Sequence, residues 1–184
     1  MVPLRMKSFD SVDRSAFRWL RDPGSPRAFQ LLAGDDAVAR LAWSGPRGSL
    51  ATAETAGPAL TVKRDGFLSP HVLVRDPEGA ILARLDLHFS ASRLSVGPRR
   101  YLLRRRGFLV PAWQVESSEG LPLLHLETVA ERGNLEGGVV DVQPPAQGNP
   151  DLPLLLLVSW YFIVQAWFEE DAASLSTAAV VTTG

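Results

Sequence analysis

Apolar and polar side chains alternate in short runs separated by turn formers, the period-2 pattern of antiparallel strands with one buried face. Ala37-Val38-Ala39-Arg40-Leu41-Ala42-Trp43, Leu60-Thr61-Val62-Lys63 and Val72-Leu73-Val74-Arg75 all show it. In the clearest run, Ile81, Ala83, Leu85 and Leu87 share one face while Arg84, Asp86 and His88 share the other. Just before it lies Asp76-Pro77-Glu78-Gly79, with Pro and Gly where a tight turn needs them, so a hairpin is predicted there. Gly34-Asp35-Asp36, Ser44-Gly45-Pro46, Gly57-Pro58, Asp65-Gly66, Gly97-Pro98, Glu119-Gly120 and Gly133-Asn134 punctuate the chain in the same way. Together they predict a meander of many short strands. No long amphipathic helix is predicted before residue 150, although Ser11 to Arg21 fits helix or strand.

One segment breaks the pattern. Leu152 to Phe168, LPLLLLVSWYFIVQAWF, holds 17 residues without a charge. Asp151 is placed to cap it, and Pro153 falls in the first turn, where amides lack intrahelical partners, so a helix over about 152–170 is predicted. A helix apolar on every side belongs in a deep core or in a membrane. At about 26 Å it is slightly short of the usual membrane span. Its flanks also speak against a span: Asp151 precedes it, Glu169, Glu170 and Asp171 follow it, and no Lys or Arg occurs after Arg132. A sheet of many strands has edges to hide and an interior to fill, and closure around a buried helix does both. The predicted fold class is therefore mostly β, a closed antiparallel β-barrel enclosing one hydrophobic C-terminal α-helix, with no transmembrane span. The alternative is a tail-anchored membrane protein with a cytosolic β domain.

At 184 residues the chain suits one core, and no Gly- or Ser-rich linker divides it. A single domain is expected over 1–173, with 174–184, small and uncharged, as a poorly ordered tail. The absence of cysteine excludes disulfides and cysteine metal sites. The opening MVPLRMKSFDSVDR lacks the apolar run of a secretory signal, so a cytoplasmic location is expected. The net charge of -1 conceals an asymmetry: Met1 to Arg106 carries 18 Lys/Arg against 10 Asp/Glu, whereas Gly107 to Gly184 carries Arg132 against 10 acids. Within one domain, this predicts internal complementarity between the halves.

The order of elements, Arg27-Ala28-Phe29-Gln30-Leu31-Leu32, then Ala39-Arg40-Leu41-Ala42-Trp43, then Arg64-Asp65-Gly66-Phe67-Leu68, then the Leu152–Leu157 helix ending in aromatics, resembles the tubby C-terminal-like group. That group includes the tubby, phospholipid scramblase and LURP-one-related proteins. The resemblance runs over about residues 14–170 and implies a twelve-stranded barrel threaded by a hydrophobic C-terminal helix. It also implies a binding or scaffold module, since basic residues on the barrel of tubby proteins hold phosphoinositides.

The strongest chemical signal is basic. Arg93, Arg99, Arg100, Arg104, Arg105 and Arg106 occur with no acid between Phe89 and Val115. Arginine forks match phosphate geometry, so Arg99, Arg100, Arg104, Arg105 and Arg106 are the candidate ligand site for an anionic phospholipid or phosphoinositide headgroup, with peripheral membrane association as the consequence. The bland reading pairs these arginines with the acid-rich C-terminal half, including Glu169, Glu170 and Asp171 at the end of the helix. A protein partner on the outer surface is the other partner considered, and nucleic acid is not expected, because aromatics beyond Tyr101 and Phe108 do not interleave with the charges.

No catalytic residues, metal site or cofactor are predicted. His71, His88 and His125 lie on separate strands without metal-ligand spacing, and neither a Gly-x-Ser-x-Gly elbow nor a Ser-x-x-Lys or Walker loop is present. Trp43-Ser44-Gly45-Pro46-Arg47-Gly48 reads as a hairpin turn. Glu116 with Glu119, or Glu127 with Glu131, fit solvated strand positions better than an acid–base pair. An enzyme would have to assemble its residues from distant strands.

Overall fold

In the computed structural model, residues 6–45, 48–88, 90–107 and 111–181 are described, the helix beyond Glu169 as backbone only. A 3₁₀ turn, Phe9–Ser11, and twelve strands precede the helices: β1 Ala16–Arg21, β2 Ala28–Ala33, β3 Asp36–Trp43, β4 Leu50–Thr55, β5 Leu60–Asp65, β6 His71–Arg75, β7 Ile81–Asp86, β8 Ser92–Val96, β9 Arg99–Arg106, β10 Ala112–Ser117, β11 Pro122–Glu131 and β12 Asn134–Val142. A short helix, α1 Pro144–Gln147, leads into α2, Leu152–Val181. Every strand pairs antiparallel with its sequence neighbours, and β1 closes on β12 with Phe17 opposite Val140. The predicted closed antiparallel barrel around one mostly buried helix is the observed architecture. Closure leaves no ladder of unpaired strand groups among the described residues.

Barrel width explains the helix. About eight strands enclose a bore that side chains alone can fill; twelve leave room for a helix about 10–12 Å across. Three successive aromatics of α2 then face three different walls. Trp160 stacks on Trp19 of β1 at 5.4 Å, Tyr161 stacks on Trp43 of β3 at 5.4 Å, and Phe162 meets Trp113 of β10 edge-on at 5.2 Å. A helix turns about 100° per residue, so consecutive large residues need walls all round, and this removes any polar face. The segment Leu152–Glu169 is long and apolar enough to cross a membrane by length and composition, yet 61% of it is buried inside the barrel. Opposite Trp160 the wall residue is a glycine. A Cβ built on Gly138 of β12 would stand 2.6 Å from the Trp160 ring and 2.6 Å from the Glu127 carbonyl oxygen. Gly138→Ala is therefore expected to lower stability by about 1–3 kcal/mol, as overpacking does, measured by chemical denaturation.

Local readings resolve as follows. The hairpin at 76–79 forms: the Gly79 amide donates to the Asp76 carbonyl, the Asp76 carboxylate accepts from the Ala80 amide, and Gly79 takes the positive φ of 89° that the turn requires. The ambiguous stretch 11–21 is mainly strand, since β1 begins at Ala16. A register shift opposite Val74 and Arg75 takes Ile81 off the inner face and leaves it 56% exposed, while Ala83 and Leu85 stay buried as their alternation predicts. The helix backbone continues past 170, the expected end, to Val181 and so occupies most of the segment read as a tail. Glu169 thus lies within the helix rather than at its C-terminus, which removes the expected dipole penalty on it.

Candidate functional site

Hairpin connections alternate between the two barrel rims. The proximal rim, where α2 enters, carries the connections after β2, β4, β6, β8 and β10; the distal rim, where α2 leaves, carries those after β1, β3, β5, β7, β9 and β11. Both rims carry mixed charge: exposed Asp13, Asp35, Glu78, Glu119 and Asp141 lie at the proximal rim with exposed Arg99 and Arg100, and exposed Lys63, Arg93, Arg105, Arg106 and Arg132 at the distal one with exposed Glu131.

The arginine run lies along β9, and its ends sit at opposite rims, about 23 Å apart for seven strand steps. At the proximal rim, Arg99 donates from Nε and Nη2 to both carboxylate oxygens of Asp151, each at 2.5 Å. Tyr101 Oη adds a donor to the same carboxylate at 2.7 Å, and Asn149 Nδ2 donates to that hydroxyl at 3.2 Å. Asp151 is buried, so this network pins the start of α2 to the barrel wall. The carboxylate is thereby directed to Arg99 and Tyr101, while the Asp151 backbone carbonyl accepts the Leu155 amide. Arg100 closes on its own hairpin, donating to the carbonyls of Gly97 and Arg99.

Farther along β9, Arg104 and Arg106 converge on the buried Glu116 carboxylate at 3.1 and 2.7 Å. Arg105 points the other way, with its guanidinium 5.8 Å from the Trp113 ring centroid. The five arginines therefore do not form one patch. Arg99, Arg104 and Arg106 pair with acids of the C-terminal half, as complementarity predicts, but with Glu116 and Asp151. Glu169 pairs with Arg64 of β5 instead. The Glu170 and Asp171 side chains lie outside the described residues, as do Pro46, Arg47 and Phe108. Tyr101 is buried, which withdraws it from any exposed stacking surface. His71 contacts the Ser69 carbonyl at 3.0 Å and His125 contacts Glu127 at 3.0 Å; among the described residues no three His, Asp or Glu converge as a metal site would require.

A different feature stands out at the distal rim. In the β5–β6 connection Phe67 is 99% exposed and Leu68 91%. Gly66, at φ 85°, lets the loop double back so tightly that a Cβ there would lie 2.4 Å from the Ser69 carbonyl oxygen, and this holds the two apolar side chains out at the tip. Lys63 and Arg64 precede the tip, and Arg93, the second residue of β8, lies at the same rim two strands from β6. Lys63 pairs with Asp65 at 2.7 Å and holds that carboxyl below its ordinary pKa. Behind the loop a cavity of about 360 Å³ is walled by Val72, Leu87 and Phe162 with Arg64 and Glu169 at its edge. Tyr161 closes the helix side, donating to the Ser49 carbonyl and accepting the Arg64 amide at 3.0 Å, and burial pushes its hydroxyl up to about 12. On the other flank the Arg27 guanidinium lies 4.5 Å from the Phe168 ring centroid. The sequence carries a sign of the tip in the adjacent apolar pair between Gly66 and Pro70, where turns are ordinarily polar. Of the basic residues at that rim, Lys63 and Arg64 stand next to the pair in the sequence, and the others join them only in three dimensions.

Compared with protein-family models, with curated proteins and with solved structures, the chain matches none.

Proposed function

We propose that the protein is a non-enzymatic binding module of tubby-like build, cytoplasmic, that attaches peripherally to anionic phospholipid surfaces through the distal rim. The observation carrying this reading is the exposed Phe67-Leu68 tip, preceded in the chain by Lys63 and Arg64 and sharing its rim with Arg93, Arg105 and Arg106, of which Lys63, Arg64 and Arg106 are also paired with acids. Each large apolar side chain gains about 1.5–3 kcal/mol on leaving water. Each cation near an anionic leaflet adds about 1 kcal/mol, a contribution that salt screens. Neither contribution suffices alone, and their coincidence on one rim gives a surface with an apolar wedge and a basic surround. Arg104, Arg105 and Arg106 belong to this reading as the basic surround on β9, whereas Arg99 and Arg100 sit at the other rim.

The test is co-sedimentation of the full chain with phosphatidylcholine vesicles with and without phosphatidylserine. Binding is expected only with phosphatidylserine, and the Phe67→Ser/Leu68→Ser double variant is expected to bind at least about tenfold more weakly at unchanged thermal stability. Undiminished binding by that variant, or equal binding to neutral vesicles, would remove this function.

A further inference from the structure

The proximal rim holds a second cleft, unrelated to the apolar tip. About 420 Å³ lies between the N-terminal segment, the β4–β5 connection and the first turns of α2, a size within the range of about 300–1,000 Å³ typical of small-molecule sites. Its walls are largely apolar, formed by Phe9, Leu60, Leu82, Pro153, Leu154 and Leu157. The hydroxyls nearby are engaged in their own loops, Ser8 Oγ accepting the Asp10 amide at 3.4 Å and Thr55 Oγ1 the Gly57 amide at 3.1 Å, and the exposed Asp10 carboxylate lines the cleft as well.

Arg14 is the exception. Its side chain is only 20% exposed; Nε is buried without a hydrogen-bond partner and out of reach of solvent and ligand alike, so a ligand head would meet the guanidinium on its Nη1 side. Nη2 donates to the Asn149 carbonyl at 3.0 Å, and Nη1 stands 3.6 Å from the Asp10 carboxylate, which is 88% exposed. A guanidinium can make five hydrogen bonds, and a long ion pair to a solvated carboxylate satisfies little of that capacity. A largely buried cation at the edge of an apolar cleft matches a ligand with an apolar chain and an anionic head. One charge suits the site better than two, because the Asp10 carboxylate lies close by.

We propose that this cleft binds a single-chain carboxylate amphiphile, its chain along the Leu60–Leu82–Leu154 wall and its head on Arg14. The test is isothermal titration of the full chain with decanoate and with decanol, both below their aggregation thresholds. Decanoate is expected to bind at least about tenfold more tightly than decanol, and Arg14→Gln to abolish that preference. Because Arg14→Gln also loses the contact with Asn149, a second variant is read beside it. Gly57→Trp adds its Cβ at an exposed position whose nearest contact, Thr55 Oγ1, is 3.7 Å away; it is expected to occlude the cleft and abolish both bindings at unchanged thermal stability. Failure of decanoate to bind, equal binding of the two probes, or retention of the preference in Arg14→Gln would each overturn the proposal.

Discussion

A chain ending at Pro150 will not fold: in the absence of detergent it will aggregate or remain expanded, while the full chain unfolds cooperatively. Without α2, the inward side chains of the strands, among them Trp19, Phe29, Leu31, Leu41, Leu85, Leu94, Leu103, Leu124 and Leu126, all below 2% or at 2% exposure, would line an open bore. A barrel of twelve strands is too wide to collapse onto its own side chains. The helix also brings specific partners: Asp151 for Arg99 and Tyr101, Tyr161 for the Ser49 carbonyl and Arg64 amide, and Gln165 for the Trp43 indole at 3.2 Å. The measurement is detergent-free solubility and thermal unfolding of the two chains side by side. If the truncated chain folds and the full chain requires detergent, α2 is a membrane anchor and the barrel is complete without it.

The second large effect is alkaline unfolding. The chain has two tyrosines, and both are buried. Burial raises the Tyr161 hydroxyl to about 12, and burial is also the first cause of the upward shift at Tyr101, whose proton is donated to Asp151. An exposed tyrosine in the unfolded chain ionises near 10. A raised folded value means that the neutral form is favoured in the native state, so the stabilisation is fully present below pH about 10 and is lost as pH rises toward 12. For Tyr161 the loss amounts to about 2–3 kcal/mol, a large share of the stability of a single domain. Few other groups confuse this window, since Lys7 and Lys63 are the only lysines and arginine stays charged. Tyrosinate absorbance and far-ultraviolet circular dichroism should therefore change together in one transition. Tyr161→Phe should be less stable at neutral pH, having lost its bond to Ser49, and should show a shallower loss with alkali. Tyrosines that ionise near 10 in a chain still folded would contradict this account.

Both predictions depend on a segment legible in the residue string. The uncharged run Leu152–Phe168 had to be buried or in a membrane, and the period-2 alternation before it indicated strands, so the residue string narrowed the architecture to a closed sheet around a helix or a β domain with a membrane anchor, and the acidic flanks favoured the first. Local chemistry was equally readable where it acts within a few residues, as at Asp76-Pro77-Glu78-Gly79. Ile81 marks the limit of alternation, because a bulge depends on how a strand meets its partner.

Charge behaved differently. Adjacent arginines on β9 look like one patch in one dimension, yet a strand advances about 3.3 Å per residue and alternates its faces, so Arg99, Arg105 and Arg106 end in three environments. Their partners, Asp151 and Glu116, lie 52 and 10 residues from Arg99 and Arg106 and were selected by barrel register. The sharing of one rim by Phe67, Leu68 and the distal arginines, and the placing of Arg14 beside its cleft, arise in the same way. Hydrophobic periodicity is a local property of the chain, and so it determined the architecture. Which side chains share a rim is decided by long-range pairing, which only the closed barrel brings about.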